Sequence, residues 1–248
     1  MSNWEWSVLC KDTVTGDVLS SCFGSGQAQT YLQWMLNAWG WTLKVALLAL
    51  VVALLVGSLV GIMRTAPSRA MRWFGETWTE LFRNIPLLVQ IFLWYHVLPA
   101  LFPVLKTAVP SFVLVVLALG FFTSARIGEQ VKAGIETLPK GQRYAGLAMG
   151  LTLPQTYRYV ILPMAYRIVI PPLTSESMNI IKNSAVAFAV SIPELTQFAQ
   201  QASEETSKFE EIFIPVTIAY FVSAFAINRI ATWIEKRVRV PGTVGVAK

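Results

Sequence analysis

Five long apolar stretches constrain what this chain can fold into more than any other feature of its sequence. An α-helix needs about 20 consecutive apolar residues to cross the hydrocarbon core of a bilayer. Five segments meet that length, namely residues 40–63, 85–105, 110–129, 165–192 and 212–234. The short alternating segments of a membrane β-barrel are not visible in the sequence, so it predicts an all-α polytopic membrane protein with about five transmembrane helices.

Composition and charge distribution agree with a membrane protein and predict its orientation. The chain is 54% hydrophobic and 14% charged, whereas a soluble domain carries about 25% charged residues. Basic residues gather between spans one and two, between spans three and four, and after span five. They are Arg64, Arg69, Arg72, Arg83, Lys132, Lys140, Arg143, Arg158, Lys236, Arg237, Arg239 and Lys248. The positive-inside rule makes these segments cytoplasmic, with the N-terminus outside and the C-terminus inside. The net charge of +6 is therefore attributed to topology and contact with membrane lipid, and no nucleic-acid partner is predicted.

The five spans divide the chain into three parts. Residues 1–39 form a predicted periplasmic tail, residues 40–235 the transmembrane domain, and residues 236–248 a cytoplasmic tail. Cys10 and Cys22 both lie in the external tail, where a disulfide and two free thiols are equally compatible with the sequence. Two cysteines cannot supply a four-ligand zinc site, and a lone His96 is typical of the membrane interface, so no metal and no cofactor is predicted.

A polar, basic segment, residues 138–163, separates spans three and four. It predicts two short helices around a hinge at Gly150, with Thr152 as an N-cap and Gln155 at the capping-box spacing. The apolar face of the first helix has the spacing i, i+3, i+4, i+7 and consists of Tyr144, Leu147, Ala148 and Leu151. A simple membrane anchor has no need of such a segment, so we interpret it as a docking platform for another protein.

Glycines and prolines predict details of helix packing inside the membrane. Gly57 and Gly61 have the GxxxG spacing in span one, which permits a neighbouring helix to approach closely. Pro171 and Pro172 are adjacent in span four, and we expect them to break or bend that helix.

Polar side chains at membrane depth mark a candidate transport path. They are Thr123, Arg126 and Glu129 in span three and Glu176, Asn179 and Lys182 in span four. A charge at the centre of a membrane helix costs about 2.5–3.5 kcal/mol on insertion scales, and it usually lines a pathway or pairs with a partner. Arg126 and Glu129 have the i, i+3 spacing of an ion pair on one helix face. Glu176 and Lys182 are too far apart on one helix to pair directly, so their partners are expected elsewhere.

Several motifs together resemble the permease subunits of ABC importers for polar amino acids. The entry of span two reads Phe82-Arg83-Asn84-Ile85-Pro86-Leu87-Leu88-Val89-Gln90, and span four contains Pro171-Pro172-Leu173-Thr174 and Ile180-Ile181-Lys182-Asn183-Ser184. The cytoplasmic loop of this family reads Glu-Ala-Ala, three residues, Gly, nine residues, Ile, any residue, Leu-Pro. That register holds Tyr144-Ala145-Gly146, Gly150 and Val160-Ile161-Leu162-Pro163 in this chain. Tyr144 thus replaces the family glutamate and Gly146 replaces the second alanine.

The resemblance implies a type I ABC importer permease in the cell inner membrane, with a cytoplasmic coupling helix. The residues implied in coupling to the ATPase are Tyr144, Ala145, Gly146, Ala148, Gly150, Leu162 and Pro163. The implied partners are a cytoplasmic ABC ATPase dimer, a second permease subunit that is a sister chain, and a periplasmic amino acid-binding protein. The sequence contains no Gly-x4-Gly-Lys-Ser/Thr phosphate loop, so we expect ATPase activity in a separate subunit and no enzyme activity in this one.

The substrate class is indicated by Thr123-Ser124-Ala125-Arg126, which resembles the glutamate/aspartate subgroup of the family. We expect Arg126 and Lys182 to bind carboxylates of an acidic amino acid, since arginine binds a carboxylate through two hydrogen bonds. Glu176 or Glu129 would then meet the substrate ammonium. The sequence leaves open the alternative that these charges pair with one another and only stabilise the helices.

Two other classes of function agree less well with the sequence. An ion-coupled secondary amino acid transporter is the alternative, although five spans are few for it and no inverted repeat is evident. A membrane enzyme or scaffold is a further class, and no nucleophile–base pair or cluster of histidine, cysteine and carboxylate stands out in its favour.

Overall fold

The computed structural model describes residues 4–23 and 28–238, and it is helical, as the sequence predicts. Within those ranges there is no β-strand, only isolated bridges from Lys11 to Val18 and from Asp12 to Thr30. The α-helices are α1 (Tyr31–Thr65), α2 (Arg69–Asn84), α3 (Leu87–Phe92), α4 (Leu98–Leu101), α5 (Val104–Ala108), α6 (Ser111–Glu136), α7 (Lys140–Ala148), α8 (Leu153–Thr156), α9 (Leu162–Ser184), α10 (Leu195–Thr206) and α11 (Phe209–Val238). Two π-helical turns, Leu93–Val97 and Tyr157–Ile161, and two 3-10 turns, Trp6–Cys10 and Ala185–Val190, lie between them. Arg239 and Lys248, which contribute to the predicted orientation, lie outside the described residues.

The long helices agree with most of the predicted spans. Over the described residues, α1, α6 and α11 are long and apolar enough to cross a membrane. A fourth crossing is formed if α2 and the segment Leu87–Leu101 are one span, bent by 104°. Predicted span four, residues 165–192, corresponds to α9, whose 23 residues are long enough for a hydrocarbon core of about 30 Å but include Arg167, Glu176 and Lys182. The count of five spans therefore stays a prediction.

Helices α1 and α6 pack closely through glycines, as the GxxxG spacing predicts. A Cβ atom at Gly57 would lie 2.7 Å from Ile127 Cβ, and one at Gly61 would lie 2.6 Å from Val131 Cβ. Gly120 of α6 lies against Val52 of α1 in the same way. Larger side chains at these positions would push the helices apart, so the two glycines of α1 determine how closely α6 can approach.

The predicted break at Pro171 and Pro172 does not occur. Both residues lie inside α9, which continues to Ser184. Prolines are tolerated in membrane helices when neighbouring helices and Ser or Thr side chains compensate the disrupted backbone. Here α9 packs against both α6 and α11. The helix is continuous through both prolines, and the bend that the sequence also allows stays a prediction.

The N-terminal segment packs against α1, α10 and α11. Helix α1 begins at Tyr31, inside the predicted tail, and Thr30 caps it by accepting a hydrogen bond from the Gln33 backbone N–H at 3.2 Å. A disulfide joins Cys10 and Cys22, which resolves the alternative that the sequence left open. Val8 is fully buried in a cluster formed with α1, α10 and α11.

Candidate transport path and coupling segment

The centre of the candidate path is an ion pair between α6 and α9. Arg126 Nη1 lies 3.8 Å from Glu176 Oε2, and Gln130 Nε2 donates to Glu176 Oε1 at 3.3 Å. The two helices meet again where Gly134 of α6 lies directly against Val169 of α9. Positions 126, 130 and 134 on α6 are spaced by about one turn, so one face of this helix carries all three contacts.

The predicted ion pair between Arg126 and Glu129 is absent from the described residues, and Glu129 pairs with Arg83 of α2 instead. Arg83 also contacts Glu80 at 3.1 Å. Nearby, Trp78 Nε1 donates to Ser124 Oγ at 3.1 Å, and this hydrogen bond holds α2 against α6. Arg83 and Gln130 were not predicted as partners of Glu129 and Glu176, because partners on separate helices follow from helix rotation rather than from local spacing.

The Arg126–Glu176 pair retains unused hydrogen-bonding capacity. Arg126 leaves 43% of its side chain exposed, and its guanidinium lies over the Phe122 ring with 5.2 Å between its Cζ and the ring centroid. Glu176 is buried, and its Oε2 atom has no hydrogen-bond partner among the described residues. Thr123 Oγ1 is also buried and has no hydrogen-bond partner among the described residues. Buried polar atoms are normally satisfied, so this cluster is equipped to bind a further polar group.

The remaining predicted path residues lie along α9 but are not all in the cluster. Asn179 follows Glu176 by one turn and is half-buried. Lys182 is exposed, and no carboxylate within the described ranges lies within ion-pairing distance of it. The structure therefore joins Arg126 to Glu176 and leaves Lys182 free to meet another group.

The coupling segment is an α-helical hairpin closed by a glycine. Gly150 has φ of +83°, a backbone conformation that favours glycine. Its N–H donates to the Leu147 carbonyl at 3.0 Å, and the Leu151 N–H donates to the Gly146 carbonyl at 3.1 Å. These two hydrogen bonds form the Schellman motif that ends α7. The chain thus forms a corner at Gly150, where the sequence predicts a hinge.

A second set of contacts fixes the other side of this corner. The Thr152 N–H donates to Gln155 Oε1 at 2.8 Å, as the capping-box spacing predicts. Gly146 is buried against Thr156, where an added Cβ would lie 2.7 Å from Thr156 Cγ2. Gly146 therefore lets the first helix of the hairpin pack against Thr156, and this contact explains why glycine replaces the alanine of the family motif here.

The outer surface of the corner is exposed and partly apolar. Tyr144 is 65% exposed and Met149 83% exposed. Ala145 and Ala148 are also exposed. Of the two predicted coupling residues after the corner, Pro163 is exposed and Leu162 is half-buried against the main core. The short side chains at 145 and 148 leave room for a partner to approach the helix backbone.

Outside the membrane-spanning helices, a second charged cluster fastens the N-terminal segment. Glu5 accepts from Lys11 Nζ at 3.1 Å and from Lys208 Nζ at 2.9 Å, and the Glu5 N–H donates to Glu211 Oε1 at 2.9 Å. The hydrogen bonds from Lys208 and Lys11 hold the pKa of Glu5 below its ordinary value. The same contact with Glu5 raises the pKa of Lys208.

The described residues contain no group of three or more His, Cys, Asp or Glu side chains arranged to hold a metal ion. What they contain is a helical membrane bundle with a half-satisfied ion pair inside and an exposed corner at one end. This combination defines a transport permease rather than an anchor.

The class is that of the permease components of ABC importers. The chain belongs to the family described as binding-protein-dependent transport system inner membrane component, whose model matches residues 53–240. It is therefore a multi-pass inner-membrane permease of an ABC importer for amino acids.

Individual relatives support the same family. The chain is 40% identical to the glutamate/aspartate import permease protein GltJ of Escherichia coli (strain K12), over 98% of each chain. It is 24% identical to the glutamate/aspartate import permease protein GltK of Escherichia coli O6:H1, over 83% of this chain and 94% of that protein. A crystal structure of an amino acid ABC transporter with histidines matches with a TM-score of 0.72 and 28% identity, over 84% of this chain and 95% of that one. These matches give no support to the ion-coupled secondary transporter.

Proposed function

We propose that this chain forms one half of the translocation path of an importer for glutamate and aspartate. A sister permease supplies the other half, a cytoplasmic ATPase dimer supplies the energy, and a periplasmic binding protein delivers the substrate. The half-satisfied Arg126–Glu176 pair is the observation that carries this proposal. The similarity to GltJ supports the same substrate class.

Each charge of an acidic amino acid has a candidate partner in this cluster or further along α9. The guanidinium of Arg126 binds a side-chain carboxylate through two parallel hydrogen bonds, which is the geometry that arginine favours. Glu176 accepts from the ammonium with the Oε2 atom that lacks a hydrogen bond now. Thr123 Oγ1 and the Asn179 amide supply neutral hydrogen bonds, and Lys182 attracts the second carboxylate. Glu129, engaged with Arg83, stabilises the wall of the path.

The orientation belongs to the same proposal. The N-terminus and residues 1–39 are periplasmic, residues 40–235 form the membrane domain, and residues 236–248 are cytoplasmic. The disulfide between Cys10 and Cys22 supports a periplasmic location for the tail, since disulfides persist in oxidising compartments. The corner at Gly150 then faces the cytoplasm, where its exposed surface docks into the ATPase.

Substitution of Arg126 tests the substrate path. Arg126→Ala in the reconstituted transporter should lower ATP-driven glutamate uptake by about a hundredfold, because a charge-assisted bidentate contact is lost. Lys132→Ala is the matched control, since Lys132 lies on the same helix and pairs only loosely with Glu136 at 3.9 Å. Uptake by Arg126→Ala equal to that of the control, with both proteins in the membrane, would remove Arg126 from the path.

Crosslinking tests the docking of the corner. A cysteine at Ala148 should form a crosslink to the ATPase, because this residue is exposed on the outer surface of α7. A cysteine at Ser111, exposed at the start of α6, should form none. The coupling role is wrong if Ala148→Cys never captures the ATPase, or if it reacts only with reagents applied to the periplasmic side.

A further inference from the structure

A cavity lies where α1, α2, α6 and α7 come together beside the coupling corner. Its volume is about 580 Å³. Four basic side chains line it, and they face only one acidic side chain in the lining. The basic residues are Arg64, Arg72, Lys140 and Arg143, and the acid is Glu136. The walls therefore carry an excess of positive charge that the lining does not neutralise.

Arg72 is already engaged, and Glu136 is in a loose ion pair. Arg72 Nη1 donates to the carbonyls of Ala66 and Pro67 at 2.7 and 2.8 Å, and so caps the C-terminal end of α1. Glu136 pairs with Lys132 at 3.9 Å. The remaining positive charges of the cavity are those of Arg64, Lys140 and Arg143.

The remaining basic groups have donors to spare. The Nε atoms of Arg64 and Arg143 are buried and have no hydrogen-bond partner among the described residues. Arg64 uses Nη1 for a contact of 3.3 Å to Thr79 Oγ1. Buried guanidinium donors without acceptors are costly, because they have lost water and gained nothing in its place. Both arginines line the cavity, so an anion there would lie beside two guanidinium groups with donors unused.

Helix ends of both polarities lie at the cavity. The first residues of the nine-residue helix α7, including Lys140, line it, and the N-terminal end of a helix is partially positive. The negative end of α1 is covered, since the Tyr157 hydroxyl and Arg72 both donate to its last carbonyls. The carbonyl end of α6, at Ile135 and Glu136, also lines the cavity, so the excess of basic side chains is what favours an anion there.

We propose that this cavity binds the phosphate of an anionic phospholipid headgroup. Guanidinium groups match phosphate geometry, and basic pockets between membrane helices bind such headgroups. Ile135, Leu138 and Ile161 form an apolar part of the wall, which suits the glycerol and first methylenes of a lipid better than a small soluble ion. The cavity lies at the end of the bundle where the basic residues gather, so the lipid belongs to the leaflet at that surface.

Lipid retention in the assembled transporter tests the proposal. The complete complex is placed in nanodiscs of equal parts phosphatidylethanolamine and phosphatidylglycerol, and retained lipids are counted by native mass spectrometry. The wild type should retain phosphatidylglycerol selectively, and Arg143→Gln should lower that retention by about tenfold, since a charge-assisted contact is removed. Arg64→Gln with Arg143→Gln should lower it further.

The matched control is Arg69→Gln, which removes the same charge from an exposed position at the start of α2 outside the cavity lining. It should retain as much phosphatidylglycerol as the wild type. Thermal unfolding of Arg143→Gln and Arg69→Gln should coincide, so that lost lipid is not attributed to lost structure. Equal retention in the wild type, Arg143→Gln and Arg69→Gln overturns the proposal.

Two further arms separate the sources of the anion. Inorganic phosphate is titrated into complexes in phosphatidylethanolamine alone. Phosphate binding that depends on Arg143 without any retention of phosphatidylglycerol would mean a soluble anion and overturn the lipid assignment. Retention by the isolated permease that disappears in the assembled complex would mean that the ATPase covers the cavity, which also overturns it. None of these results bears on glutamate uptake, which Arg126→Ala tests separately.

Discussion

Two charged clusters in this molecule have opposite character. Around Glu5, one carboxylate receives two ammonium groups at 3.1 and 2.9 Å in a setting open to water. Between α6 and α9, the buried Glu176 has one arginine at 3.8 Å and one oxygen without a hydrogen bond. The exposed cluster is the better satisfied of the two, although water would have satisfied it in any case.

The difference identifies which cluster is equipped for binding. Exposed ion pairs contribute little to stability, because solvent screens them and long side chains lose freedom. A buried charge with an incomplete set of partners is expensive, and such sites in membrane helices are usually functional. The tight pairing of Glu5 therefore suits a structural role, in which it attaches the N-terminal segment to the helices. The loose pairing of Glu176 suits the proposed substrate site, because a further polar group can still bind there.

Among the carboxylates of the two clusters, the largest effect is expected when the buried one is neutralised. Glu176→Gln should lower glutamate uptake by at least about tenfold, because the substrate ammonium loses its charged acceptor and Arg126 loses its partner. Glu129→Gln should have a smaller effect, since Arg83 keeps its contact with Glu80. Uptake assays on Glu176→Gln and Glu129→Gln show which of the two carboxylates matters more for transport. If Glu129→Gln is the more damaging variant, the binding role belongs to the Arg83 side of the path.

A smaller effect is expected at the exposed cluster. Glu5→Gln should leave uptake unchanged and speed the proteolysis of residues 4–23, because Lys11 and Lys208 lose the carboxylate that joins them. Asp17→Asn is the matched control, as this exposed carboxylate lies in the same segment and forms none of the ion pairs there. A loss of uptake in Glu5→Gln comparable to that of Glu176→Gln would abolish the distinction between the clusters.

The smallest effect is the pH dependence of the N-terminal segment. Because the pKa of Glu5 is lowered from 4.5, its contribution to stability is complete above pH 4.5 and is lost as the pH falls through the lowered folded value. Because the pKa of Lys208 is raised from 10.5, its contribution is complete below pH 10.5 and is lost as the pH rises through the raised value. Proteolysis of residues 4–23 should accelerate at both limits. Glu5→Gln should remove the acidic limit and weaken the basic one, because the contact with Glu5 is the main cause of the raised pKa of Lys208. An unchanged acidic limit in that variant would exclude Glu5 as its cause.

Local patterns in the sequence predicted much of the helical structure and of the coupling corner. The helix start at Thr152, the corner at Gly150 and the close approach at Gly57 and Gly61 each depend on residues a few positions apart or on one special residue type. The contact of Gly61 with Val131 then follows once two helices are adjacent. Such features are readable because the chain geometry within a helix is fixed.

Partners across helices were not predictable in the same way. Arg126 was expected to pair with Glu129 and instead lies beside Glu176, while Glu129 lies beside Arg83. A rotation of one helix by a fraction of a turn exchanges such partners without changing any local spacing. The prolines of α9 illustrate the same limit, since neighbouring helices preserved a segment whose own sequence predicts a break.

The continuity of α8, the π-helical turn Tyr157–Ile161 and α9 has a mechanical consequence. These segments follow one another as continuous helix from Leu153 to Ser184, through Pro171 and Pro172. At a rise of 1.5 Å per residue, Glu176 lies about 35 Å along this helix from Leu153. A tilt of about 5° at that end displaces a point so far away by about 3 Å. That distance is comparable to the whole Arg126–Glu176 separation of 3.8 Å. A small tilt of the helix from Leu153 to Ser184 as one body would therefore be enough to open or close the pair.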